Sequence, residues 1–307
     1  MDCNKKIQII DVGPRDGFQN VKSFIDTPTK LAIIDGLYQS GIRVIEVTSF
    51  VSPKAIPQMV DAADVAKAVI ARYADLRPIA LVPNLRGAEN AFESGIREVV
   101  CVISASEAHN SANVNRTIDE SLASLNTIIK ALPTMQVRLD VATAFGCPFS
   151  GKVPEENVLH LVEAATKLGV QGITLCDTIG VANPAQVRSL LAAMQREFPA
   201  TSLALHFHNT RGMGLANICV AAGMGVRDFE TSAGGLGGCP FAPGSEGNTA
   251  TEDTVHMLHE MGYETGIDLD KLLGTVQCIA DHVDAPLTGK MLGVHKSTCS
   301  NISGNAN

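Results

Sequence analysis

At 307 residues the chain has room for one large domain or two ordinary ones, and a (β/α)8 barrel uses about 250 residues as a single unit. Hydrophobic residues make up 45% and charged residues 18%, which supplies a core and excludes disorder as the default state. A formal charge of -8 argues against a basic nucleic-acid surface and toward small-molecule chemistry, so no nucleic-acid partner is expected.

Short runs rich in strand-forming residues recur at Ile7 to Val12, Val44 to Phe50, Pro78 to Val82, Glu98 to Ser104, Val137 to Ala144, Gly172 to Asp177, Leu203 to His208 and Asp228 to Ser232. Between them lie segments with helical apolar spacing: Lys30 to Ser40, Gln58 to Tyr73, Gly87 to Ser94, Ile118 to Leu132, Glu155 to Leu168, Pro184 to Glu197 and Gly214 to Met224. Strands alternating with helices imply parallel βαβ units, and eight of them predict a closed (β/α)8 TIM barrel. The competing reading is an open dinucleotide-binding sheet. Against it, the first strand is followed by Gly13-Pro14-Arg15-Asp16-Gly17, which lacks the Gly-x-Gly-x-x-Gly turn that a pyrophosphate requires. After the eighth strand, Asn248 to Gly262 and Asp268 to Val283 read as helices and Ser297 to Asn307 as a polar, frayed tail. The expected organisation is a single catalytic domain over 1–307, with the barrel at about 7–250 and additional C-terminal helices at about 251–290.

Eight cysteines, at 3, 101, 147, 176, 219, 239, 278 and 299, stand singly without a Cys-x-x-Cys pair. That spread predicts reduced, mostly buried thiols and a cytoplasmic location. The amino terminus passes from Lys5-Lys6 straight into Ile7-Gln8-Ile9-Ile10, leaving no room for a signal peptide's apolar region. No apolar run approaches the roughly 18 residues of a membrane span, so no membrane association is expected.

In a barrel the carboxyl ends of the strands converge, so the polar residues there are the ones that matter. They are Arg15 and Asp16 after strand 1, Glu46 in strand 2, Asp140 in strand 5, Asp177 ending strand 6, and His206 and His208 ending strand 7, with Cys239 and Asn248 in loops after strand 8. The His-x-His spacing puts both imidazoles on one strand face, opposite Leu203, Leu205 and Phe207. With one carboxylate they form a set that leaves positions open for substrate oxygens on a divalent cation, Mg or Mn being more natural than Zn without thiolates. Spacing alone leaves hydrogen-bonded barrel histidines equally open. Taken alone, Arg15-Asp16 reads more readily as an exposed turn pair than as a ligand; Glu46 reads equally as a structural partner of Arg15, and Asp177 has a helix cap as its alternative. Gly234 to Gly238 lacks the Lys-Ser/Thr of a P-loop and reads as a mobile loop in preference to a phosphate cradle.

The segments Gly13-Pro14-Arg15-Asp16-Gly17-Phe18-Gln19-Asn20, Glu46 to Lys54, and Gly234 to Asn248 with Ala250-Thr251-Glu252-Asp253 resemble the 3-hydroxy-3-methylglutaryl-CoA lyase family of metal-dependent carbon-carbon lyases, from about Ile7 to Leu273. The resemblance implies a (β/α)8 barrel, an acyl-CoA substrate, a homo-oligomer and a Mg2+ or Mn2+ cofactor. It implies Asp16, His206, His208 and the Asn248 amide oxygen as metal ligands. It assigns Arg15, Glu46, Asp177 and Cys239 to catalysis: Arg15 to enolate charge, Cys239 to a loop that closes on the substrate, and the two carboxylates to support of acid-base steps. The implied reaction is retro-Claisen cleavage of hydroxymethylglutaryl-CoA to acetyl-CoA and acetoacetate. The alternatives are a related substrate such as citramalyl-CoA, or a condensing acyltransferase. Two departures stand out. Asn209 follows the second histidine where the family often has Asp, and in the stretch Glu107 to Arg116, which reads as a loop, Ser111-Ala112 replace residues that are often Lys or Arg.

Overall fold

The structure is a computed structural model that describes residues 5–238 and 247–296. Eight parallel strands close into a barrel in sequence order, and β8 returns to pair with β1. They are β1 Gln8–Asp11, β2 Val44–Ser49, β3 Arg77–Leu81, β4 Glu98–Ser104, β5 Gln136–Ala142, β6 Gly172–Asp177, β7 Leu203–Phe207 and β8 Asp228–Thr231. Every strand expected from sequence is present. The helices are α1 Thr27–Gln39, α2 Ala62–Arg72, α3 Leu85–Glu93, α4 Glu107–Val114, α5 Ile118–Ala131, α6 Glu155–Leu168, α7 Pro184–Glu197, α8 Gly214–Gly223, α9 Thr251–Glu260 and α10 Leu269–His282.

Local chemistry sets where the helices begin and end. Asp26 caps α1 by accepting from Thr29 N–H, with Pro28 in the first turn. Thr117 with Glu120 and Asn183 with Gln186 form capping boxes at α5 and α7. Gly169, at φ +95°, takes the left-handed conformation that ends α6.

Two expectations need correction. Glu107 to Arg116 reads as a loop, yet Glu107–Val114 is helical, capped by Ser106 and closed by Asn115 at φ +52°. It buries His109 and Asn110 rather than an apolar stripe, so the periodicity that reveals most helices is missing. The helix expected from Asn248 begins instead at Thr251. Asn248 and Ala250 are engaged in bridges to His208 and Ser232, which pulls the segment against the strand ends.

The main core lies between the strands and the surrounding helices and includes Ile45, Val47, Leu205, Phe207 and Phe229. Inside the barrel a smaller apolar cluster of Ile10, Val12, Val44, Ile79, Val100 and Ala204 fills one side. The alternating positions of β2 and β5 to β8 bury Glu46, Arg138, Asp140, Thr174, His206 and Glu230. The strand period of two thus produces a barrel interior with a polar half.

Candidate active site

The turn after β1 makes the first contribution. The N–H groups of Arg15, Asp16 and Gly17 all donate to the carbonyl of Val12, at 3.1, 2.7 and 3.3 Å. This tight turn buries Arg15 and Asp16, which excludes the exposed-pair reading. Asp11 anchors it, one carboxylate oxygen accepting from Gly13 N–H at 2.9 Å and the other from Ala233 N–H and the Thr251 hydroxyl. A Cβ at Gly13 would come within 2.8 Å of that carboxylate, so the turn has room only for glycine there.

Arg15 spans two carboxylates, with Nη1 2.7 Å from Asp16 Oδ1 and Nη2 2.8 Å from Glu46 Oε2. Burial works against the guanidinium charge, but Glu46 and Asp16 outweigh it and raise the Arg15 pKa. Burial pushes the Glu46 carboxyl up to about 7, with Arg15 pulling the other way. Its Oε1 is buried and has no hydrogen-bond partner. Glu46 is therefore paired on one oxygen only, which leaves the other able to take a proton near neutral pH.

β7 and the segment before α9 complete the cluster. Ligand atoms of Asp16, His206 and His208 lie within 4.8 Å of one another, all three residues being buried. Asp16 Oδ1 accepts from Arg15 and from Gln19 Nε2, and Oδ2 accepts from Asn248 Nδ2 at 2.7 Å. Because Asn248 Nδ2 also donates to the Leu236 carbonyl, the amide orientation is set, and its buried Oδ1 has no partner. His208 Nδ1 is likewise buried and unpaired. Unpaired buried acceptors are costly unless a cation or water meets them. The donor set of one carboxylate, two imidazoles and one amide oxygen fits a divalent cation with positions left for substrate.

The electrostatics point the same way. Burial opposes the charge on Asp16, yet Arg15 and the two histidines hold its carboxyl below the usual range. Burial also opposes charge on His206, but the hydrogen bond and charge of Glu230 raise it to about 9. Burial and the neighbouring His206 lower His208 to about 4. An acidic field that draws a proton to His206 draws a divalent cation by the same attraction.

Asp177 is placed differently from the other carboxylates. Its two oxygens accept from Val181 N–H at 2.8 Å and Ala182 N–H at 3.1 Å. Burial raises it to about 6 against those bonds. Asn183 supplies the cap of α7, so Asp177 organises the loop before that helix rather than its first turn. The start of the glycine segment is anchored. Gly234, at φ +73°, donates to Glu252 Oε2 and accepts from Thr288 N–H at 2.9 Å, and Gly235, at φ +67°, is buried beside the Thr288 hydroxyl. Cys239 lies outside the described residues.

Sequence reasoning missed Glu230, which bonds His206, and gave Asp11 and Glu252 no role. It collected Asp140 without assigning it one. Asp140 is buried with Oδ1 unpaired, and burial together with Glu230 and Glu46 raises it well above the ordinary range. The detectable signal was the alternation within β8, where Glu230 shares a face with Asp228 and not with Phe229. Of the departures, Asn209 accepts from Gly214 N–H at the start of α8, while Ser111 and Ala112 are exposed on α4.

Comparison with known proteins adds an independent line. The HMGL-like family model matches residues 6–279. The chain is 48% identical to the hydroxymethylglutaryl-CoA lyase YngG of Bacillus subtilis, over 97% of this chain and 100% of that protein. It is 41% identical to the mitochondrial hydroxymethylglutaryl-CoA lyase of Homo sapiens, over 96% and 90% respectively. Among solved structures, an HMG-CoA lyase from Acinetobacter baumannii in complex with coenzyme A and 3-methylmalate superposes with a TM-score of 0.90, at 41% identity and covering 95% of each chain.

Proposed function

Because the chain belongs to the HMGL-like family, we propose that it is a hydroxymethylglutaryl-CoA lyase, cleaving 3-hydroxy-3-methylglutaryl-CoA to acetyl-CoA and acetoacetate. The observation that carries this reading is the convergence of Asp16, His206 and His208 with the unpaired Asn248 Oδ1, next to the Arg15–Glu46 pair. These four residues would hold a divalent cation, Mg2+ or Mn2+, which would supply Lewis acidity.

The chain's own groups carry the rest. Glu46 Oε1 accepts the proton of the tertiary hydroxyl, which lets the bond between the hydroxyl-bearing carbon and the methylene next to the thioester break. Acetoacetate leaves, and the charge on the thioester enolate oxygen is met by Arg15. Cys239 gives the enolate carbon a proton and regains one from solvent, while Glu46 releases its proton to solvent, completing acetyl-CoA and restoring both groups. Asp177 supports this from a distance by fixing the loop between β6 and α7.

The substrate's coenzyme A portion needs phosphate partners, and α4 offers no cation at Ser111 or Ala112. Free cysteines at 101, 147 and 176 are buried, in keeping with a reducing cytoplasm. No helix among the described residues is long and apolar enough to cross a membrane. We also assign the chain a homo-oligomeric state, which light scattering of the purified protein tests directly.

The decisive assay follows acetyl-CoA release from hydroxymethylglutaryl-CoA with Mg2+ or Mn2+, before and after chelation. Metal-dependent release is expected. Cleavage of citramalyl-CoA with none of hydroxymethylglutaryl-CoA would overturn the substrate, and release that survives chelation would overturn the cation. Cys239→Ser is expected to slow turnover with cation affinity unchanged.

A further inference from the structure

Three adjacent strands place a relay of buried side chains behind one imidazole. His206 on β7 and Glu230 on β8 are register partners, and both point into the barrel. Glu230 Oε2 lies 3.1 Å from His206 Nδ1, and its other oxygen, Oε1, accepts from the Thr174 hydroxyl on β6 at 2.9 Å. Thr174 is fully buried and Glu230 is 4% exposed. Neither side chain is needed to pair strands, and neither belongs to the cation-binding cluster. Each oxygen of Glu230 therefore has one assigned partner, and one of those partners is the ring that faces the cluster.

An imidazole can bind a cation through only one nitrogen at a time, and the hydrogen bond at the other nitrogen decides which. With Nδ1 turned to a carboxylate, the proton is kept there and Nε2 is left for the cluster. His208 differs, since its Nδ1 has no partner. The two histidines of the His-x-His segment are thus unequal: His206 is oriented from behind and His208 is not.

We propose that Glu230 is the positioning residue for His206, with Thr174 holding Glu230 in turn, so that this ring presents Nε2 to a cation. The inference rests on reading Asp16, His206 and His208 as a cation site. Glu230 touches no reacting atom; its effect runs through the ring. By this account, affinity for the cation is set partly by reach, the length of the Glu230 side chain, and not only by the negative charge it brings to the barrel.

Mn2+ titration of the full-length, chelator-stripped protein, read by the signal of free Mn2+, tests both levels. Wild type binds and Asp16→Ala binds weakly if the cluster is a cation site; no binding by wild type, or equal binding by Asp16→Ala, overturns that reading. Given a working site, Glu230→Gln weakens Mn2+ binding by about 10-fold and Glu230→Ala by up to about 100-fold, the range found for groups that orient a metal-bound histidine. Thr174→Val shifts affinity in the same direction by less. Glu230→Asp keeps the charge but falls one methylene short, and it also loses affinity. Wild-type affinity in a folded Glu230→Gln overturns the inference, as does a Glu230→Asp that binds like wild type while Glu230→Gln does not. Should Glu230→Ala fail to fold, Glu230→Gln, Glu230→Asp and Thr174→Val decide the matter. Nitrogen-15 spectra of the Mg2+-loaded protein supply a signature that a purely structural role leaves alone: one histidine with Nδ1 protonated, lost in Glu230→Gln.

Discussion

Asp16 and Asp177 are both aspartates, both buried, and both lie just past or at the end of a barrel strand, yet their surroundings give them opposite chemistry. The hydrogen bonds to Asp177 come from backbone N–H groups, and burial outweighs them and the weaker pull of His206 and Arg211, so its proton affinity rises to about 6. Asp16 is also buried, but Arg15 and two imidazoles face it, and its proton affinity falls. Burial alone therefore says little about what a carboxylate does. What separates the two aspartates is whether charged or backbone partners take their oxygens, and whether neighbouring acceptors such as Asn248 Oδ1 are left unpaired.

The largest test of that contrast exchanges the two positions. Asp16→Ala is expected to lower kcat/KM by about 10³-fold or more, because a cation's share of transition-state stabilisation is several kcal/mol. Asp177→Ala should instead cost about 2 kcal/mol of stability through two freed N–H groups, read as a drop in Tm with Mn2+ affinity retained. If Asp177→Ala abolished cation binding, the division between the two would collapse. Next in size, Arg15→Lys is expected to lower kcat by about 10²-fold, since a single ammonium cannot span Asp16 and Glu46 as the guanidinium fork does.

A pH series sharpens the comparison further. The folded-state pKa of Asp177 is raised from 3.8 to about 6, so the folded protein holds this proton more tightly than the unfolded chain. Its contribution to stability is complete below about pH 3.8 and is lost as pH rises through about 6, amounting to about 3 kcal/mol. Asp177→Asn should accordingly gain on the parent protein between pH 4 and 7 in denaturant titrations. A constant difference across that range would mean the carboxyl is not desolvated. The smallest effect is expected at the root of the glycine segment: Thr288→Ala removes a single hydroxyl contact to Gly235, costing about 1 kcal/mol or less. Faster amide exchange at Gly234 and Gly235 with little change in kcat would locate the anchoring there.

Much of the site was legible because its residues sit in special local contexts. Arg15-Asp16 follows a strand within a Gly-Pro turn, and His206-x-His208 has the strand period. Glu230 was hidden because two acids alternating in a four-residue strand give only a weak pattern that names no partner; its meaning comes from the register that sets it beside His206. α4 was hidden for the complementary reason, that its buried face is His109 and Asn110 rather than apolar. The anchoring of Gly234 depends on Glu252 and Thr288, which are 18 and 54 residues away in sequence.

The sequence by itself determined the barrel, because alternating strand and helix periods have few ways to bury their apolar faces. It also determined which residue types would meet at the carboxyl ends of the strands. Only the tertiary structure decided which of them are paired and which are left open: Asp177 closed by backbone N–H groups, Asn248 turned with its oxygen free, His206 backed by Glu230 and His208 unbacked. The physical reason is that hydrogen bonds of a few tenths of a nanometre select among side chains that the strand period has already brought to the same face.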